Sequence, residues 1–154
     1  MKVSTILNKK GNTIHSISPD ATLKNMVKDM LALSVGCLLV LNEDGSIAGI
    51  ITERDFLHNV AKYPDTWEDV RVGDVMITDV FICSVDKTLE QVMTRMTEHR
   101  IRHMPVVDSA KKVIGLLSIG DIVNASLDET TFENKLLKNY IKNWPEEDNS
   151  EPIS

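Results

Sequence analysis

Residues 13–57 and 79–123 are one pattern written twice, superimposable without a gap at a constant offset of 66. Identical pairs include Ser18 and Ser84, Asp20 and Asp86, Thr22 and Thr88, Leu23 and Leu89, Met30 and Met96, Val40 and Val106, Gly49 and Gly115, and Asp55 and Asp121. A weaker match, KVSTIL against RVGDVM, precedes it at an offset of 69, with three extra residues in the first copy's loop. A repeat of this length makes the copy the unit of structure, and a copy that covers only one face of a small sheet needs its twin to bury the other.

Each copy reads in the same order. A short extended piece (TIHSI, DVFIC) leads to Thr22 or Thr88, which suits a helix N-cap. The runs LKNMVKDMLAL and LEQVMTRMTEH then space apolar residues helically. CLLVLN and HMPVVD, each joined by a polar turn to IAGIIT or VIGLLS, predict a buried hairpin, and ERDFLHNVA or IGDIVNASL opens a second helix. The expected fold is therefore α+β: tandem β-α-β-β-α repeats related by a pseudo-twofold axis, with a C-terminal helix. The boundaries predicted are a first repeat over 1–62, a connector over 63–70 with Pro64 and Trp67, and a second repeat over 71–127. An amphipathic helix follows over 128–145, with Phe132, Leu136, Leu137, Tyr140, Ile141 and Trp144 on one stripe, then a disordered acidic tail over 146–154.

Composition narrows the function classes. A formal charge of −6 opposes general nucleic-acid binding, so an anionic ligand would need a local basic patch. No stretch approaches a membrane span and no secretory signal is evident, which predicts a cytoplasmic protein. Cys37 and Cys83 stand in apolar surroundings outside any zinc spacing, as buried thiols of a reducing compartment would. His99 and His103 are four apart but straddle a helix end and lack a third ligand, so no metal is expected. No nucleophile-and-base arrangement or glycine-rich phosphate loop appears, and catalysis has no evident machinery.

The chemistry gathers at GIITERD and its echo GLLSIGD. Thr52 or Ser118 at a strand-to-helix junction is a good cap, with Asp55 or Asp121 three residues on at the positive helix end. Capping alone would account for this. Such a junction also presents backbone N–H groups to a phosphate, and a carboxylate there can accept hydrogen bonds from the two hydroxyls of a ribose. The required basic patch is EHRIRHMPVVD. There Arg100, Arg102 and His103 flank Ile101, and Arg100 also fits a solvated helix C-terminus.

In this order and in tandem, GIITERD, RVGDVM, EHRIRHMPVVD and GLLSIGDIV resemble a CBS-domain pair, or Bateman module, over about residues 1–127. With no enzyme or channel attached, the chain resembles a stand-alone CBS-pair protein. The resemblance implies two clefts for adenosine-containing ligands, commonly AMP, ADP or ATP and sometimes NAD(H) or S-adenosylmethionine, acting as regulatory ligands without catalysis. By matching position, Asp55 and Asp121 would hold ribose, with Thr52 and Ser118 near the phosphate path and Arg102 and His103 facing phosphate. Adenine would lie against the first strands near Ile14 and Val80, and near Val35, Gly36 and Ile101. The resemblance also implies a homodimer and a regulated protein partner, or an interaction adaptor to which nucleotide is incidental. The copies differ where Arg102 and His103 correspond to Gly36 and Cys37, and Arg54 to Gly120. A phosphate-bearing ligand is accordingly expected chiefly where Thr52, Arg54 and Asp55 combine with Arg102 and His103.

Overall fold

The computed structural model describes residues 1–11, 13–127 and 137–142. Its elements run α1 (Val3–Lys10), β1 (Ser16–Ile17), α2 (Leu23–Leu33), β2 (Cys37–Leu41), β3 (Ile47–Thr52) and α3 (Glu53–Lys62). A 3-10 turn (Trp67–Asp69) follows, then α4 (Val72–Val75), β4 (Cys83–Ser84), α5 (Leu89–His99), β5 (His103–Val107), β6 (Val113–Ser118) and α6 (Ile119–Ser126). Two three-stranded sheets result, ordered β1-β2-β3 and β4-β5-β6. The fold is the α+β repeat expected.

Capping starts the first helix of each copy. Thr22 Oγ1 accepts from Asn25 N–H at 3.2 Å, and Thr88 Oγ1 from Gln91 N–H at 3.1 Å. Each cap satisfies an N–H that the helix itself leaves without a partner. The helices end alike as well: Ser34 and Arg100, 66 apart, both adopt left-handed backbone at φ 55°. Each sheet pairs its first strand parallel to its second, in matched register, Ser16 with Leu39 and Cys83 with Val106. The first strands are shorter than TIHSI and DVFIC suggest, because only two residues of each meet the neighbouring strand.

The chain divides into two compact units. The Asp121 unit comprises Met1–Asn12, Ile82–Ser109 and Gly115–Ser154; the Asp55 unit comprises Thr13–Phe81 and Ala110–Ile114. Sequence copies and compact units therefore differ at the lead-ins, since Met1–Asn12, expected within the first repeat, joins the elements of the second. In the Asp121 unit, Val3 N–H donates to Lys87 O at 2.9 Å and Leu89 N–H to Met1 O at 3.0 Å. In the Asp55 unit, Val72 N–H donates to Ala21 O and Gly73 N–H to Pro19 O, both at 2.8 Å. The lead-ins bury Val3 and Val72 completely, and that apolar burial holds them where they are.

The Asp55 core is built from Ile17, Leu23, Met26, Met30, Leu38, Val40, Ile51 and Val72. Trp67 from the connector packs against it, meeting Phe56 edge to face at 5.2 Å. The Asp121 unit buries the counterparts Leu89, Val92, Met96, Met104, Val106 and Leu117. Of the expected C-terminal helix over 128–145, residues 137–142 are helical, with Ile141 exposed; the remainder and the tail over 146–154 lie outside the described residues.

Candidate functional site

The two strand-to-helix junctions build the same half-site. In the Asp55 unit, β3 passes into α3 at Thr52. Its N–H donates to Asp55 Oδ2 at 2.9 Å and its hydroxyl donates to the same oxygen at 3.2 Å. Glu53 N–H donates to Gly36 O at 3.1 Å, which ties the start of β2 to the start of α3. The Glu53 side chain lies over Gly36 so closely that a Cβ there would collide with it. Cys37, paired across the sheet with Thr52, has its thiol pushed up to about 12 by burial and, secondarily, by the charge of Asp55. This half-site is polar, and its thiol is held in the protonated form.

In the Asp121 unit, β6 passes into α6 at Ser118. Ser118 N–H donates to Asp121 Oδ2 at 2.8 Å, and Asp121 N–H donates to Ser118 Oγ at 3.1 Å. Ile119 N–H donates to Arg102 O at 2.9 Å, the counterpart of the Glu53–Gly36 bond. Through that bond the backbone of Arg102 is held beside the cap. Here a cation joins the carboxylate: Lys10 Nζ, at the end of α1, donates to Asp121 Oδ2 at 2.6 Å.

Electrostatics separate the half-sites further. Burial pushes the Asp121 carboxyl up, but the bonds from Lys10 and from Ser118 outweigh it and hold the group below its ordinary value. His103 is half-buried at the head of β5, and its imidazole is held below its usual range. Burial is the main cause; Lys10 and Arg102 act as like charges, against Asp121. The imidazole is thus neutral at pH 7, and it would meet an anion as a hydrogen-bonding group before it could meet one as a cation.

In both half-sites the cap uses carboxylate oxygen Oδ2. The bonds described above from Thr52, Ser118 and Lys10 all fall on Oδ2. A helix cap and a ligand acceptor can therefore coexist on one aspartate.

The sequence-derived residues fall as follows. Thr52, Arg54 and Asp55 sit at the start of α3, with Gly36 bonded to it and Val35 N–H donating to Met30 O at 3.1 Å. Ser118 and Asp121 sit at the start of α6, with Arg102 and His103 in the same unit. Ile101 N–H donates to Met96 O at 3.0 Å and is half-buried, whereas Arg100 is the exposed left-handed cap of α5. Ile14 and Val80 are half-buried just before β1 and β4 rather than within them. Lys10 was not singled out by sequence reasoning. Its only sequence signal is its place in the three-residue excess of the first lead-in.

Comparison with known proteins bears on the family and the fold. A family model described as "CBS domain" matches residues 4–62 and 72–128. The CBS domain-containing protein CBSX3, mitochondrial, of Arabidopsis thaliana is 34% identical over 148 residues, covering 91% of this chain and 71% of its own length. The crystal structure of the CBS-domain containing protein ATU1752 from Agrobacterium tumefaciens superposes with a TM-score of 0.78 at 32% identity, covering 81% of this chain and 98% of that one. CBSX2, crystallised in complex with AMP, has the same fold, with a TM-score of 0.68 at 24% identity over 77% of this chain and 90% of its own. With two repeats matched along most of its length, the chain belongs to the CBS-domain family.

Proposed function

We propose that this protein is a non-catalytic regulatory module that binds adenosine-containing ligands and senses energy state, with AMP as the leading ligand and ADP, ATP or NAD(H) as alternatives. The observation that carries this reading is the doubled half-site, in which a strand-to-helix aspartate takes its backbone cap bond on Oδ2, with Oδ1 outside that bond. A ribose diol asks for such an acceptor, and hydrogen bonds to a charged group contribute about 1.5–3 kcal/mol. The AMP complex of CBSX2 is consistent with that ligand class.

Asp55 and Asp121 are the proposed ribose acceptors, with Thr52 and Ser118 beside the phosphate path. Arg54, Arg100 and Arg102 supply the basic character, His103 a hydrogen-bonding imidazole, and Ile14, Val80, Val35, Gly36 and Ile101 the adenine contacts. The phosphate-bearing ligand is assigned chiefly to the half-site of Thr52, Arg54 and Asp55. Binding would act on a regulated partner only through different affinity for two states of the module. A homodimer in the cytoplasm completes the reading; Leu31 on α2 and Leu57 on α3, 75% and 63% exposed, are apolar surface that an association could cover.

Calorimetry of AMP on Asp55→Ala and Asp121→Ala tests the assignment. Asp55→Ala is expected to lose at least tenfold in affinity and Asp121→Ala clearly less. Equal losses would remove the asymmetry, and an absence of binding to the unaltered protein would remove the function.

A further inference from the structure

The lead-ins align at an offset of 69 through Leu7 and Met76 and at 66 from Thr13 and Asp79, so residues 8–12 of the first face only residues 77–78 of the second. The short form is closed by backbone. Ile77 N–H donates to Ile50 O and Ile50 N–H to Ile77 O, each at 2.9 Å. The long form continues α1 to Lys10, whose Nζ donates to Leu116 O at 2.5 Å. Leu116 is the counterpart of Ile50 at the 66-residue offset. An ammonium thus takes the place at a β6 carbonyl that an amide takes at the matching β3 carbonyl.

The replacement brings charge and reach. The same Nζ lies 2.6 Å from Asp121 Oδ2, which also accepts from Ser118 N–H, so both acceptor positions of that oxygen are engaged. At Asp55 the corresponding second donor is the Thr52 hydroxyl, which can rotate away at little cost. A diol that uses both carboxylate oxygens would have to displace Lys10 from Asp121 but only turn a hydroxyl at Asp55. The displaced ammonium, 34% exposed, would keep the Leu116 carbonyl and lose its counter-charge. Only a ligand with its own anion can replace that charge.

We propose that Lys10 is a specificity-determining residue of the Asp121 half-site: it yields to ligands that carry a phosphate and holds out neutral nucleosides. This rests on the reading that adenosine ligands bind here through ribose. It adds a discriminator from outside the aligned repeat, one the Asp55 half-site lacks in that form.

The test is calorimetry of AMP and of adenosine on the full chain carrying Asp55→Asn, so that the Asp121 half-site dominates, with and without Lys10→Gln or Lys10→Arg. Lys10→Gln is expected to shift the AMP-over-adenosine preference about tenfold toward adenosine, with the two affinities moving in opposite directions. Lys10→Arg keeps the charge and should keep the preference. A purely structural lysine would move both ligands together, and a preference unchanged in Lys10→Gln overturns the proposal while AMP binding itself survives. Failure of either ligand to bind the unaltered chain would instead overturn the function. Thermal unfolding of each variant confirms that the folded protein was titrated.

Discussion

The Asp55 and Asp121 units solve one architectural problem with two chemistries. Both must seat a lead-in helix against the last strand of the sheet, and both place a glycine where it crosses. At Gly49 a Cβ would come within 2.6 Å of the Ile77 carbonyl oxygen; at Gly115 it would come within 2.7 Å of a Leu7 methyl. One contact is backbone, fixed by the Ile50–Ile77 pair of bonds. The other is a side chain beneath a helix that ends in Lys10. The glycine common to GIITERD and GLLSIGD is therefore a packing requirement, and the adjoining aspartate is a separate, chemical one. Three residues of added lead-in change a neutral backbone bridge into an ion pair on the site carboxylate. The lesson is that a repeat can keep its scaffold while its periphery alters the charge beside each copy's carboxylate.

The largest effects should come where the copies are alike. Leu23→Ala and Leu89→Ala each truncate a completely buried side chain at the first position of a capped helix, and each is expected to cost about 3 kcal/mol or more in urea unfolding. The two losses should agree within about 1 kcal/mol. A large disparity would mean that the matched cores are not energetically equivalent.

The glycines break the likeness. Gly49→Ala pushes against a backbone carbonyl in a hydrogen-bonded bridge and should cost about 2–3 kcal/mol, whereas at Gly115→Ala the Leu7 methyl can swing aside, for about 1 kcal/mol. Reversal of that order in thermal or urea unfolding would show that the α1 contact, not the Ile77 bridge, is the stiffer of the two.

The smallest effect is in pH. Burial above all lowers the affinity of the folded state's His103 imidazole for a proton, while the unfolded chain protonates it normally. The unfolded state then binds more protons in the interval beneath about pH 6.5, so this contribution is complete above that pH and is lost as pH falls. The slope from this group is at most about 1.4 kcal/mol per pH unit. His103→Gln should flatten stability between pH 7 and the lower end of that interval, measured against the unaltered chain. An unchanged profile would place the pH sensitivity elsewhere.

Much of this molecule is legible along the chain. Periodicity gives α2 and α5, hydroxyl caps fix their starts at Thr22 and Thr88, and apolar runs around a polar turn give the hairpins. These features are local, depending on residues within a few positions of one another. The repeat points to Asp55 and Asp121 because a matched aspartate after a matched hydroxyl is visible without coordinates. The short first strands were less legible, since pairing ends where the neighbouring strand leaves and not where β-forming residues stop. The lead-ins were not legible as helices: KVSTIL carries few periodic positions, and RVGDVM folds into a single turn.

By itself, then, the sequence determined the tandem α+β repeat, the family, the two capped junctions and the inequality of basic residues between copies. Tertiary structure decided which unit each lead-in joins, and therefore that Lys10, 111 positions away in sequence, would sit on Asp121. Helices and caps follow from short-range sterics and hydrogen bonding that a sequence states directly. The partner of a long charged side chain follows from where burial carries its backbone, and that is a property of the folded chain.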